Sequence, residues 1–221
     1  MDGARGFGLV LLSCAAATAW AQGTIVFVTP PNPVYYAAGV TDGSYNLDLD
    51  GNGTTDLVLG FDLIKAYLTP QSGNSIIVIR SQTDVGPATD AAPLNRGDSI
   101  SANPSSLNPV LAWYDPHLDT SGLALLGGQA VFDGQLVYSG YWSGVDGFVG
   151  LRFLIGGETH YGWMEINNYS GVAAGQLLGW AYETRPDTPI LAGAVPEPST
   201  WALLCAGGIL FWLLGRRKRM A

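Results

Sequence analysis

Two cysteines in 221 residues, Cys14 and Cys205, are too few and too badly placed for a disulfide framework, since both fall in apolar end segments. The stretch between those segments has none, which excludes a bridge, a Cys-ligated zinc and a thiol nucleophile there. Basic residues are also scarce. Outside the end segments only Lys65, Arg80, Arg96, Arg152 and Arg185 face 16 acidic residues, giving residues 22–194 a net charge of −11. Such a surface repels phosphate backbones, so nucleic acid is not expected as a partner. No apolar run keeps a 3.6-residue period over three turns, so amphipathic helices are nearly absent. No Gly-x-Ser-x-Gly, His-Glu-x-x-His or phosphate-cradling glycine loop occurs. A non-enzymatic role is expected.

What the chain does have is two end segments with the character of processing signals. Arg5 precedes the apolar run Phe7–Ala19, which closes on Ala19-Trp20-Ala21, a small-x-small cleavage pattern. Residues 1–21 therefore read as a signal peptide, leaving Gln22 as the new N-terminus. Leu11-Leu12-Ser13-Cys14 loosely matches a lipoprotein box, but Leu12 fits poorly and the downstream site is better. At the other end, Trp201–Leu214 is apolar and is followed by Arg216-Arg217-Lys218-Arg219. The 16 residues from Thr200 to Gly215 make a helix of about 24 Å. That is short of the roughly 30 Å hydrocarbon core, which suits a segment that holds the chain until it is cut. The basic cluster keeps its end cytoplasmic and places the acidic middle outside.

Just ahead of this segment stands Val195-Pro196-Glu197-Pro198-Ser199, kept extended because each proline biases its predecessor away from helix. Taken together, these residues, the apolar span and Arg216–Arg219 resemble the PEP-CTERM sorting signal of Gram-negative bacteria. The resemblance implies that a membrane exosortase recognises the Pro-Glu-Pro tripeptide and removes the tail. It also implies export to the surface of a cell that secretes exopolysaccharide. Residues 195–221 are then the sorting signal, with Val195, Pro196, Glu197 and Pro198 as its motif.

The middle, residues 22–194, reads as one domain. Short apolar or alternating runs bounded by turn residues recur at Thr24–Val28, Tyr45–Leu49, Leu57–Phe61, Ser75–Arg80, Gln129–Tyr138, Phe148–Ile155, Tyr161–Asn167 and Leu177–Glu183. Gly156-Gly157 reads as a hairpin turn. This pattern predicts an all-β fold, an antiparallel β-sandwich of jelly-roll type. A short helix is expected around Leu63–Leu68, and Ser81–Asn108 reads as long loops with one short strand at Ser99–Ser101. From Gly147 onward, Phe148–Phe153, His160–Met164, Ala181-Tyr182-Glu183 and Ile190–Gly193 resemble the β-rich ectodomain common in PEP-CTERM proteins, a likeness that implies class and location only.

One loop stands out chemically. Asp48-Leu49-Asp50-Gly51-Asn52-Gly53-Thr54-Thr55-Asp56 sets oxygen side chains at positions 1, 3, 5 and 9, with glycine at 6, as in the first nine places of a calcium loop. A hard cation needs several oxygens, Gly53 permits the turn that converges them, and Thr54 offers its carbonyl. Position 12 is Leu59 rather than an acid, and the flanking runs read as strands, so this is not an EF-hand. It resembles the Asp-rich loops of extracellular β proteins, with Asp62 or a distant acid to finish the shell. Calcium held by Asp48, Asp50, Asn52, Thr54 and Asp56 is the expectation; the alternative is a solvated Asx/Gly turn.

Weaker constellations remain. Asp115-Pro116-His117-Leu118-Asp119 alternates polar groups but has one histidine and no partner motif, and His160 with Glu158 and Glu165 reads as a structural histidine. Tyr141, Trp142, Tyr161, Trp163, Trp180 and Tyr182 would stack on sugars if exposed and fill a core if not. The expected function is an exported, exosortase-processed surface protein, structural in an exopolysaccharide or biofilm matrix. A carbohydrate-binding module is the alternative, and a secreted glycoside hydrolase needs two convergent carboxylates that no pattern here picks out.

Overall fold

The computed structural model describes residues 24–39, 42–71, 73–83, 86–114 and 122–196. The expected signal peptide, the Asp115–Asp119 run and the apolar tail from Glu197 onward lie outside these residues. Among the described residues no helix is long and apolar enough to cross a membrane.

Among the described residues fifteen strands carry the fold: β1 (Ile25–Val28), β2 (Val34–Ala37), β3 (Gly43–Leu47), β4 (Leu57–Phe61), β5 (Lys65–Pro70), β6 (Ser75–Thr83), β7 (Gly86–Ala91), β8 (Ser99–Ile100), β9 (Leu111–Trp113), β10 (Ala124–Phe132), β11 (Gln135–Ser139), β12 (Asp146–Ile155), β13 (Glu158–Asn168), β14 (Ala174–Glu183) and β15 (Ile190–Leu191). A 3-10 turn at Pro104–Ser106 interrupts them. The all-β expectation holds. In place of the two separate sheets of a sandwich, however, 13 strands join in one curled sheet, ordered β1-β14-β13-β12-β6-β7-β10-β5-β4-β3, with β2, β9 and β11 attached at its flanks. Pairing is antiparallel apart from the contact of β10 with β7 at Leu125 and Asp90.

The curl brings the two ends of the sheet face to face. Leu57, Leu59, Ala66, Leu68 and Leu126 from one end pack with Val149, Leu151, Phe153, Met164 and Ile166 from the other, forming the main core. The opposite face of β12–β14 is covered too. Ile77, Leu94, Ile100, Phe148, Tyr161, Trp163 and Ile190 make a second core there, under β8 and β15. Burial on both faces explains why Phe148–Ile155 reads as a nearly unbroken apolar run rather than an alternating one. Along β13 the two periods separate cleanly: Tyr161 and Trp163 enter the second core, Met164 and Ile166 the first.

Three local expectations are corrected. The helix around Leu63–Leu68 is strand β5: Asp62 accepts the N–H groups of Ile64 and Lys65 at 2.8 and 3.0 Å, closing a turn, after which Ala66 and Leu68 alternate inward with a period of two. The loops expected across Ser81–Asn108 begin instead with the end of β6 and its partner β7, paired from Val78–Ala91 to Thr83–Gly86. The run Gln129–Tyr138 is not one strand but the hairpin β10–β11. Asp133 and Gly134 at its tip have φ of 49° and 74°, the left-handed pair that a two-residue Asp-Gly turn requires.

Asp90 on β7 is buried, and burial pushes its carboxyl above the usual aspartate range. A raised folded-state pKa means that the ionised form costs stability at pH 7, and that the cost is absent below the unfolded-state value of about 3.9. Asp90→Asn, neutral at every pH, is therefore expected to raise the thermal midpoint at pH 7. That gain shrinks to nothing in acid, and unfolding scans at the two pH values check it.

Candidate functional site

The Asp48–Asp56 segment is the loop of the β3–β4 hairpin, whose register runs from Gly43–Phe61 down to Leu47–Leu57. Below it, Asp56 donates its N–H to the Leu47 carbonyl at 2.8 Å, and Trp180 Nε1 donates to the Leu49 carbonyl at 3.0 Å. The loop is thereby fixed to β14 as well as to its own hairpin. Its tip turns at Gly51 and Gly53, with φ of 79° and 87°, conformations that glycine adopts without steric cost.

Inside this frame Asp48, Asp50 and Asp56 each bring one carboxylate oxygen to within 4.8 Å of the others. Asp48 accepts three backbone N–H groups: Gly51 and Asn52 on Oδ1 at 2.8 and 3.1 Å, and Gly53 on Oδ2 at 2.7 Å. Burial works against its charge, but these donors hold its carboxyl below the usual range. Asp50 accepts the N–H and the Nδ2 of Asn52, at 3.1 and 3.0 Å. Asp56 is the buried member. It accepts Leu49 N–H at 2.8 Å and Asn74 Nδ2 at 3.0 Å. Burial, reinforced by the charges of Asp50 and Asp48, pushes its carboxyl upward against those hydrogen bonds.

Asp48 Oδ1 takes two N–H groups, but the other five carboxylate oxygens take one each, which leaves each of those a second lone pair for a cation. Three carboxylates this close repel each other unless something neutralises them. The donor set is hard and anionic, and it fits a hard divalent ion better than a soft one. Of the remaining expected ligands, Asn52 accepts Thr54 N–H on Oδ1 at 2.7 Å, and both residues are exposed at the tip. Asp62 does not complete the set. It stands at the far end of β4, in the turn before β5, 3.8 Å from Lys65 Nζ. Asn74, which the loop pattern did not include, ties Asp56 to β12 by also accepting Leu154 N–H at 3.2 Å.

The other candidates resolve as structure. His160 is buried, and its Nδ1 lies 2.9 Å from the Glu183 carbonyl; a carbonyl only accepts, so that nitrogen carries the proton. Glu158 is exposed, while Glu165 lies 3.8 Å from Arg96. Among the aromatics, Trp142, Tyr161, Trp163, Trp180 and Tyr182 are all buried, and of the six only Tyr141 is exposed. They are core residues and not a stacking row. Next to the loop, Tyr45, Asn46, Asp48 and Trp180 share a cleft of about 300 Å³ with the Pro30–Pro33 turn.

The sorting residues begin where the fold ends. Val195 and Pro196 are exposed, directly after Ala194, whose carbonyl accepts Trp163 Nε1–H at 3.0 Å. Glu197 and Pro198 lie outside the described residues. Neither a curated protein nor a solved structure matches the chain significantly. The family model of the PEP-CTERM protein-sorting motif matches residues 194–219. The chain therefore bears the PEP-CTERM protein-sorting motif, the mark of an exported protein processed by an exosortase.

Proposed function

We propose that this protein is a non-enzymatic component of the cell surface, structural in an exopolysaccharide or biofilm matrix, delivered there by exosortase processing. The observation that carries the reading is continuity. The sorting motif at residues 194–219 follows without a linker on an acidic, cysteine-free β domain. In this reading the Asp48, Asp50 and Asp56 cluster is a calcium site, filled in the extracellular medium where that ion is plentiful. Calcium would supply charge neutralisation, and the chain's own part is to hold three carboxylates together. The second reading, carbohydrate binding, draws on the cleft of Tyr45, Asn46 and Asp48 beside the Pro30–Pro33 turn, because the aromatic row of the second half is core.

The test is fractionation of cells that contain the exosortase. The full-length chain is expected in the matrix fraction with its tail removed. Glu197→Ala, which breaks the Pro-Glu-Pro tripeptide, is expected to leave it tail-bearing in the membrane fraction. Wild-type protein that stays with the membrane at full length sinks the reading.

A further inference from the structure

The ectodomain is tied down almost to the residue where sorting begins. β15 pairs with β8 through Ile190–Ile100 and Leu191–Ser99. Ala192 donates its N–H to the Asp98 carbonyl at 2.8 Å and accepts Gly97 N–H at 2.9 Å. Arg96 Nη1 donates to the Gly193 carbonyl at 2.7 Å, and Trp163 Nε1 to that of Ala194 at 3.0 Å. Every residue from Ile190 to Ala194 is thus held, and the next one is the first of Val195-Pro196-Glu197-Pro198. Beyond Pro196, four residues lead to Thr200 at the head of the apolar segment, a reach of at most about 14 Å. While the domain is folded, an enzyme that takes the Pro-Glu-Pro tripeptide at the membrane surface has to meet this pole.

The pole is shaped for contact. Beside the anchored segment lies a cleft of about 530 Å³, lined among others by Thr24, Ile25, Arg185, Thr188, Leu191 and Pro196. Two of its apolar members stand in solvent, Leu191 at 52% exposure and Val195 at 49%. Its charges are balanced: Arg185 Nε lies 3.7 Å from Glu183 Oε1. Arg185 is the one basic residue among the described residues that line the cleft, and a net charge of −11 over residues 22–194 repels a negative bilayer surface. A cleft of mixed polar and apolar lining with balanced charge fits a protein edge better than headgroups.

We infer that this pole is a docking face for the exosortase, which seats an apolar edge against Leu191 and Val195 while it binds the tripeptide. The inference rests on the sorting reading. Both are tested by pulse-chase of the full-length chain in cells containing the exosortase, following loss of the tail. Leu191→Glu, outside the matched motif, is expected to slow processing by about tenfold, the scale for losing one buried apolar contact in an interface. The thermal midpoint of the purified protein is expected to stay unchanged. In a companion chain with ten Gly/Ser residues inserted between Ala194 and Val195, the tripeptide is reached away from the pole, so Leu191→Glu is expected to have no effect there. Equal rates for wild type and Leu191→Glu at native spacing overturn the docking face, and so does an equal slowing at both spacings. If the processed wild-type protein co-floats with phosphatidylethanolamine–phosphatidylglycerol vesicles and the Leu191→Glu protein does not, the face meets the bilayer and the inference also falls. Wild-type chain that is no better processed than Glu197→Ala defeats the sorting reading itself, and the docking face with it.

Discussion

With calcium in excess, the ectodomain Gln22–Pro196 is expected to unfold about 5–10 °C higher than in chelator, and Asp50→Ala is expected to remove the difference. The size follows from mass action: ligand at a hundred times its dissociation constant adds about 2.7 kcal/mol to the folded state. For a domain of this length each kcal/mol moves the midpoint by about 2–4 °C. Asp50 is the member to change because it does the least for the loop without metal. Its two oxygens receive no backbone N–H beyond that of Asn52 among the described residues, with Asn52 Nδ2 as the other donor, at 3.1 and 3.0 Å. Asp56→Ala would confuse the test, since its carboxylate receives Leu49 and Asn74 inside the fold and its loss strands buried donors whether or not calcium is there. Asp48 has the same drawback, with three loop N–H groups on its oxygens. In chelator, Asp50→Ala and wild type should unfold together to within about 0.5 kcal/mol, as for a surface change. Equal wild-type midpoints with calcium and with chelator reduce the loop to an acidic turn.

What could be read from the sequence, and what could not, divides along chain distance. The three carboxylates were legible because the spacing that brings them together is local and its glycines announce the turn. Asn74 and Trp180, which pin the same loop, lie 18 and 131 residues from the groups they bond, and no pattern in one sequence signals that. The β12–β13 hairpin was legible for a similar reason: Gly156 and Gly157, both at positive φ, separate two strongly apolar runs. β7 was not. Gly86-Pro87-Ala88-Thr89-Asp90-Ala91 has low intrinsic strand preference, and it is a strand because β6 pairs with it. Asp133-Gly134 was a missed signal rather than a hidden one, since Asp-Gly between alternating residues is the strongest short-range hairpin mark. The apolar residues on either side, Gln129–Phe132 and Gln135–Tyr138, read by themselves as a single run. The curl of the sheet is the least local property of all. It depends on β12 meeting β6 across some 75 residues of chain, at Leu151–Ile76 and Arg152–Ser75.

Trp142 is where the core assignment of the aromatics meets its hardest test. The side chain is fully buried in the main core, and its Nε1–H donates to the Ala91 carbonyl at 2.7 Å, joining the turn after β11 to the end of β7. Trp142→Ala removes the ring and leaves a cavity, a change that costs about 3–5 kcal/mol. Against a total stability of about 5–15 kcal/mol, that brings the domain close to unfolding and is read directly as a shift in the urea midpoint at unchanged slope. Trp142→Phe keeps most of the apolar volume but withdraws the donor, so it isolates the stranded Ala91 carbonyl at about 1–3 kcal/mol. Tyr141→Ala, one residue away but exposed, should change the midpoint by no more than about 0.5 kcal/mol. The order Ala, then Phe, then the Tyr141 variant is what a buried, hydrogen-bonded ring produces. A ring held in solvent to stack on sugar would give three small and similar shifts. That result would return the aromatic-rich half of the domain to the list of binding surfaces and would sink its assignment to the core.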